Sequence, residues 1–94
     1  MAGKHRKTYD AIHSDPVRAN ISWNDALTMA EAFGAVVAHG TGSMFSFELN
    51  GVSIVMHRPH PGNEMAKPGV RVFRRFLQEA GVDPDDLSRI HGRP

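Results

Sequence analysis

Ser43-Met44-Phe45-Ser46-Phe47-Glu48-Leu49-Asn50-Gly51-Val52-Ser53-Ile54-Val55-Met56-His57-Arg58 is the stretch that decides the fold. Asn50-Gly51 is a hairpin signal, because both residues tolerate the positive φ that a two-residue turn of this kind requires. Folding the chain there sets Leu49 against Val52, Phe47 against Ile54 and Phe45 against Met56. Those apolar side chains then share one face of the ribbon, and that face must pack on other elements. The opposite face pairs Glu48 with Ser53, Ser46 with Val55 and Met44 with His57. His57 is therefore expected to project from the uncovered face of the sheet.

Upstream of the hairpin, Ala35–His39 is a short apolar run that suits a first strand, joined on by Gly40-Thr41-Gly42. Ser22 is a good N-cap, with Asp25 three residues on in capping-box spacing. Ala26, Met29, Ala30 and Phe33 recur at helical spacing, and Gly34 supplies the stop. Downstream, Pro68 sits near a helix start, Val70, Phe73, Phe76, Leu77 and Ala80 line one face, and Gly81 closes the helix. Arg71, Arg74, Arg75 and Gln78 fall on its solvent side. The order α-β-β-β-α predicts an α+β fold with a three-stranded antiparallel sheet and two helices packed on one face. That is the topology of double-stranded-RNA-binding domains. Residues 1–20 read as a basic N-terminal arm with one short helical turn from Lys7 to His13, ending at Asp15-Pro16. Residues 21–82 read as the domain, and 83–94 as a short turn through Arg89 followed by a tail.

At 94 residues the chain has the length of one domain, with a small core. Hydrophobic residues are 40% and charged residues 22% of the sequence, the balance of a globular fold. There is no cysteine, which excludes disulfides and thiolate metal sites. No apolar run approaches the roughly 20 residues that span a bilayer. The basic start Met1-Ala2-Gly3-Lys4-His5-Arg6-Lys7 lacks the apolar stretch of a signal peptide. A cytoplasmic protein with no membrane partner is expected. The net charge is only +1, so composition alone does not announce a nucleic-acid binder. The distribution is more informative: Lys67, Arg71, Arg74 and Arg75 form a local basic stripe with no acid between them, while Asp83, Asp85 and Asp86 gather near the C-terminus.

Met56-His57-Arg58-Pro59-His60-Pro61-Gly62-Asn63-Glu64 carries the chemistry. It sets His57, His60, Arg58 and Glu64 where a strand yields to a proline-stiffened loop, and histidine is the side chain most easily poised near neutral pH. RNA cleavage without a metal needs a base for the 2′-OH proton, an acid for the 5′ leaving oxygen, and cations facing the developing phosphorane charge. His57 and His60 suit the acid–base pair, with Arg58 and Lys67 supplying charge. The plainer reading makes His57 a solvated edge residue and His60 a turn residue. A rival use is a metal site, in which His57, His60 and Glu64 supply three ligands. Glu64 has two other readings, orienting His60 or capping the next helix. Arg71 and Arg75 are like charges at i,i+4, an arrangement easier to understand with phosphate or an acidic protein opposite. Trp23 reads as packing. Gly40-Thr41-Gly42-Ser43 reads as a strand connection with Ser43 near the active face, since the lysine and helix of a P-loop are missing.

With Gly42-Ser43 opening the hairpin, His60-Pro61-Gly62-x-Glu64 closing it and Val72-Phe73-Arg74-Arg75-Phe76-Leu77-Gln78-Glu79-Ala80-Gly81 following, residues 21–82 resemble the HicA family of mRNA-interferase toxins. The arm, with Lys4-His5-x-Lys7-Thr8 and Pro16-Val17-Arg18-Ala19-Asn20, is similar to a longer branch of that family. The resemblance implies a dsRBD-like fold, binding and metal-independent cleavage of mRNA, and neutralisation by a HicB-like antitoxin, with no cofactor. Ser43, Arg58, Lys67, Arg71, Arg74 and Arg75 are the candidate RNA- and phosphate-binding residues read from the basic stripe, the loop and the strand connection. The chain departs from the family pattern in one place. After Gly-Ser the pattern includes a histidine, and here the positions hold Met44 and Phe45, neither of which exchanges a proton. Either the chemistry rests on His57 and His60, or the protein is an RNA-binding or antitoxin-binding module without efficient cleavage.

Overall fold

A computed structural model describes residues 2–86. The element order is α1 (Ala2–Ile12), β1 (Ile21–Ser22), α2 (Trp23–Ala32), β2 (Val36–His39), β3 (Met44–Leu49), β4 (Val52–His57), β5 (Glu64–Met65) and α3 (Lys67–Ala80). Strands β2, β3 and β4 form a three-stranded antiparallel sheet in that order. The fold is α+β, with helices on one face of this sheet, as the hairpin and its flanking helices imply.

The register of β3 and β4 follows from the turn. Asn50 (φ 51°) and Gly51 (φ 83°) both take the left-handed conformation, the geometry that lets a two-residue loop match strand twist. Leu49 then pairs with Val52, Phe47 with Ile54, Phe45 with Met56 and Met44 with His57. Phe47, Leu49 and Met56 are buried, and Phe45, Val52 and Ile54 are partly buried against them. The other face is open: Val36 is 65% and Val55 60% exposed. Asn50 also closes a long-range contact, its side-chain amide donating to the Ala80 carbonyl at 2.9 Å. The hairpin tip thereby satisfies one of the orphan carbonyls that every helix end leaves, beside Gly81 at φ 72°.

The core is aromatic at its centre. Phe47 meets Trp23 at 5.7 Å and Phe73 at 5.5 Å between ring centroids, both edge to face, the arrangement ring quadrupoles favour. Val70, Phe73, Phe76, Leu77 and Ala80 all point inward from α3, as their spacing requires. Trp23 is 1% exposed and serves as packing.

The N-terminal segment differs from the expected arm. Instead of one turn from Lys7 to His13, it forms an eleven-residue helix, and Ile12 at its end is fully buried in the shared core. Arg74, expected in solvent, holds that helix in place. Its side chain is only 18% exposed and reaches the carboxylate of Asp15 at 3.8 Å. Its Nε donates to the Ile12 carbonyl at 2.8 Å and a terminal nitrogen donates to the Ser14 carbonyl at 2.6 Å. A guanidinium can do this because it presents several donors in a fixed fork, and the last carbonyls of α1 need donors.

Ser22 caps α2, its Oγ accepting from the Asp25 amide at 3.2 Å. The Asp25 carboxylate meets Lys4 of α1 at 3.3 Å. A second, unexpected ladder joins β1 to β5, pairing Ile21 with Met65 and Ser22 with Glu64. It is flanked by the Asn20 amide on the Met65 carbonyl (2.9 Å) and the Trp23 amide on the Asn63 carbonyl (2.8 Å). After α3, Asp83–Asp86 open a turn in which the Asp86 amide bonds the Asp83 carbonyl at 2.8 Å. Arg89 and the rest of the expected tail lie outside the described residues. Among the described residues no helix is long and apolar enough to cross a membrane.

Candidate functional site

At one end of the sheet the β2–β3 connection and the β4–β5 loop enclose an open cleft of about 280 Å³. The short Gly40–Ser43 connection is held by the Gly40 amide on the Met44 carbonyl (2.8 Å) and the Met44 amide on the Thr41 carbonyl (3.1 Å). One further backbone bond ties it to the neighbouring loop, from the Arg58 amide to the Ser43 carbonyl at 2.7 Å. Strand pairing thus continues one step past His57, which sets Ser43, Arg58 and His60 around the same opening.

Ser43, Arg58 and His60 line the cleft together with His39, Phe45 and Gly62. The Arg58 Nε donates to the Asn63 side-chain oxygen at 3.2 Å, which orients the guanidinium while leaving its terminal nitrogens available. His57 stands on the open face of the sheet, opposite Met44, and its Nδ1 lies 3.1 Å from Ser43 Oγ. It reaches the cleft through that hydroxyl. Met44 and Phe45 divide between the faces, Met44 38% exposed on the outer one and Phe45 half-buried on the cleft wall.

His39 belongs to this site and was not singled out from the sequence. Its ring stacks on Phe45 with centroids 4.4 Å apart and planes 7° from parallel. Its Nε2 lies 2.6 Å from the Gly42 carbonyl oxygen, which only accepts, so Nε2 carries the proton. Phe45 in turn meets Trp23 edge to face at 5.5 Å. The cleft wall is therefore keyed to the aromatic core, and His39 fixes the connection that presents Ser43.

The remaining expected residues lie elsewhere. Lys67 opens α3, and Lys67, Arg71, Arg74 and Arg75 all stand apart from the residues that line the cleft. Arg74 is committed to the end of α1. Arg75 pairs with Glu79 at 3.0 Å, which offsets its repulsion with Arg71 at an exposed site where such pairs contribute little. Glu64 neither caps α3, whose N-cap is Ala66 without a side-chain bond, nor joins a ligand set; its backbone is part of β5. Among the described residues no group of three His, Cys, Asp or Glu side chains is placed to share a metal ion. β5 pairing sets Glu64 opposite Ser22.

What the cleft offers chemically is imidazole nitrogens, one hydroxyl and one guanidinium around one opening. No protein-family model, curated protein or solved structure matches the chain.

Proposed function

We propose that the protein is a metal-independent endoribonuclease acting on mRNA, a HicA-like toxin neutralised by a HicB-like antitoxin. The observation that carries this reading is the convergence of His60, Arg58 and Ser43-linked His57 on one cleft. The imidazoles supply the proton transfers and the guanidinium faces the phosphate. In the reaction, the substrate 2′-oxygen attacks the adjacent phosphorus while its proton passes to an imidazole nitrogen. The bond from phosphorus to the 5′-oxygen breaks, and a second imidazole protonates that leaving oxygen. Arg58, held by Asn63, stabilises the charge on the non-bridging oxygens through its terminal nitrogens.

His57 and His60 are assigned the proton transfers, His57 acting through the Ser43 hydroxyl. His39 is assigned a positioning role, because Phe45 occupies one face of its ring and the Gly42 carbonyl occupies its Nε2. The exposed Val36, Met44 and Val55 on the open sheet face offer apolar area to a protein partner, as an antitoxin would need.

The products test the mechanism. Attack by the 2′-oxygen leaves a 2′,3′-cyclic phosphate on one fragment and a free 5′-hydroxyl on the other. Mass spectrometry of a cleaved synthetic RNA should show those ends. Ends bearing a 5′-phosphate would rule out this chemistry. Tight RNA binding with no fragments would favour the binding-only module.

A further inference from the structure

A second cleft, also of about 280 Å³, opens where α1 crosses the start of the domain, and it is bordered by Lys7, Thr8, Arg18, Asn20, Ser22 and Asp25. Its charge balance is positive. Asp25 is paired with Lys4 at 3.3 Å, and Arg6, on the same helix, is paired with Asp10 at 3.5 Å. Lys7 and Arg18, by contrast, form no ion pair among the described residues. Asn20 is held with φ 60°, a conformation uncommon outside glycine, while its backbone amide bonds the Met65 carbonyl at 2.9 Å. Its side-chain amide has no intramolecular partner among the described residues. An ammonium, a guanidinium and an amide thus border one opening without intramolecular partners, a donor set suited to phosphate oxygens.

Residues beside the two clefts are tied together through the β1–β5 ribbon. The first ends at Gly62, next to Asn63, whose carbonyl accepts from Trp23 and whose side chain accepts from Arg58. The second is bordered by Asn20 and Ser22, and Ser22 immediately precedes Trp23. Paired strands are only about 4.8 Å apart, so a nucleic-acid strand running along the ribbon would pass from the neighbourhood of one cleft to that of the other.

The geometry points to a phosphate-binding cleft at Lys7, Arg18 and Asn20 that grips the RNA backbone outside the cleaved bond. This deepens the RNA-cleavage reading and rests on it. It also gives α1 a function: docking the helix through Ile12 and Arg74 builds one wall of the subsite.

The test uses the full chain, two probes (adenosine 3′,5′-bisphosphate and a 12-nucleotide 2′-O-methyl RNA that cannot be cleaved) and polyglutamate as a competitor. On titration with the bisphosphate, backbone NMR signals of Lys7, Thr8, Arg18 and Asn20 should shift. Lys7→Ala/Arg18→Ala should bind the RNA roughly tenfold more weakly and lower the salt slope by about 1.4, the value for two lost phosphate contacts on a single strand. Both side chains are exposed, so the melting curve should not change. Signal shifts and weakened binding without any cleavage by the wild type would leave this cleft standing while the nuclease reading fell. Unshifted signals together with unchanged RNA affinity would overturn the cleft, even if cleavage were intact. Stronger competition by polyglutamate than by RNA would also overturn it, in favour of an acidic protein.

Discussion

Arg74 shows how much one side chain can decide. It lies on the face of α3 that periodicity assigns to solvent, yet it donates to the Ile12 carbonyl at the end of α1 and the Ser14 carbonyl just beyond it, and faces Asp15. With the guanidinium largely buried, losing those charge-assisted bonds leaves acceptors unsatisfied. Arg74→Ala should therefore destabilise the fold by roughly 2 kcal/mol, read as a lower urea midpoint. Arg75→Ala, at an exposed pair, should change it by well under about 1 kcal/mol. In the site, His60→Ala should lower the cleavage rate by about 10²–10⁴-fold, the usual contribution of one acid–base group. His39→Ala should lower it less, and histidine at 39 should be dispensable wherever another donor holds the Gly42 carbonyl. Strand parity carried back from Phe45 to His39 contains the signal that these rings share a face. That signal goes unread when His39 is treated only as a strand end.

Among the elements, the β3–β4 hairpin was legible because alternation and Asn50-Gly51 agree on one register. Helix α3 was legible because its apolar residues repeat at helical spacing between Pro68 and Gly81. Helix α1 was not, and the reason lies in its buried side. His5, Thr8 and Ile12 face inward at helical spacing, but only one of them is apolar, so no hydrophobic period marks the segment. Strands β1 and β5 have two residues each, too few for any alternation to register. The docking of α1 has a measurable consequence. Ile12→Ala removes a fully buried side chain and should cost about 2–5 kcal/mol, seen as a loss of thermal stability. Asn50→Ala should cost about 1–3 kcal/mol, since it removes the bond to Ala80 and places alanine at a left-handed position.

At the scale of the whole molecule, the core and the site are one mechanical unit. His39 stacks on Phe45, Phe45 abuts Trp23, Trp23 abuts Phe47, and Phe47 abuts Phe73 of α3. The sheet end is therefore held by the same rings that stabilise the fold, while the opposite sheet face stays open. Of the site, the local stretch from His57 to His60 could be read in the sequence, because neighbours in the chain stay neighbours in the loop. What went unread was the place of His39 in it, which depends on pairing β2 with β3, and the second cleft, which depends on α1. The measurement that bears most directly on the central claim is cleavage of a labelled mRNA by purified, antitoxin-free protein in EDTA, with wild type beside His57→Ala and His60→Ala. The account predicts EDTA-resistant cleavage by the wild type that is lost in both variants. Cleavage that is abolished by EDTA, or that survives in both variants, would contradict it.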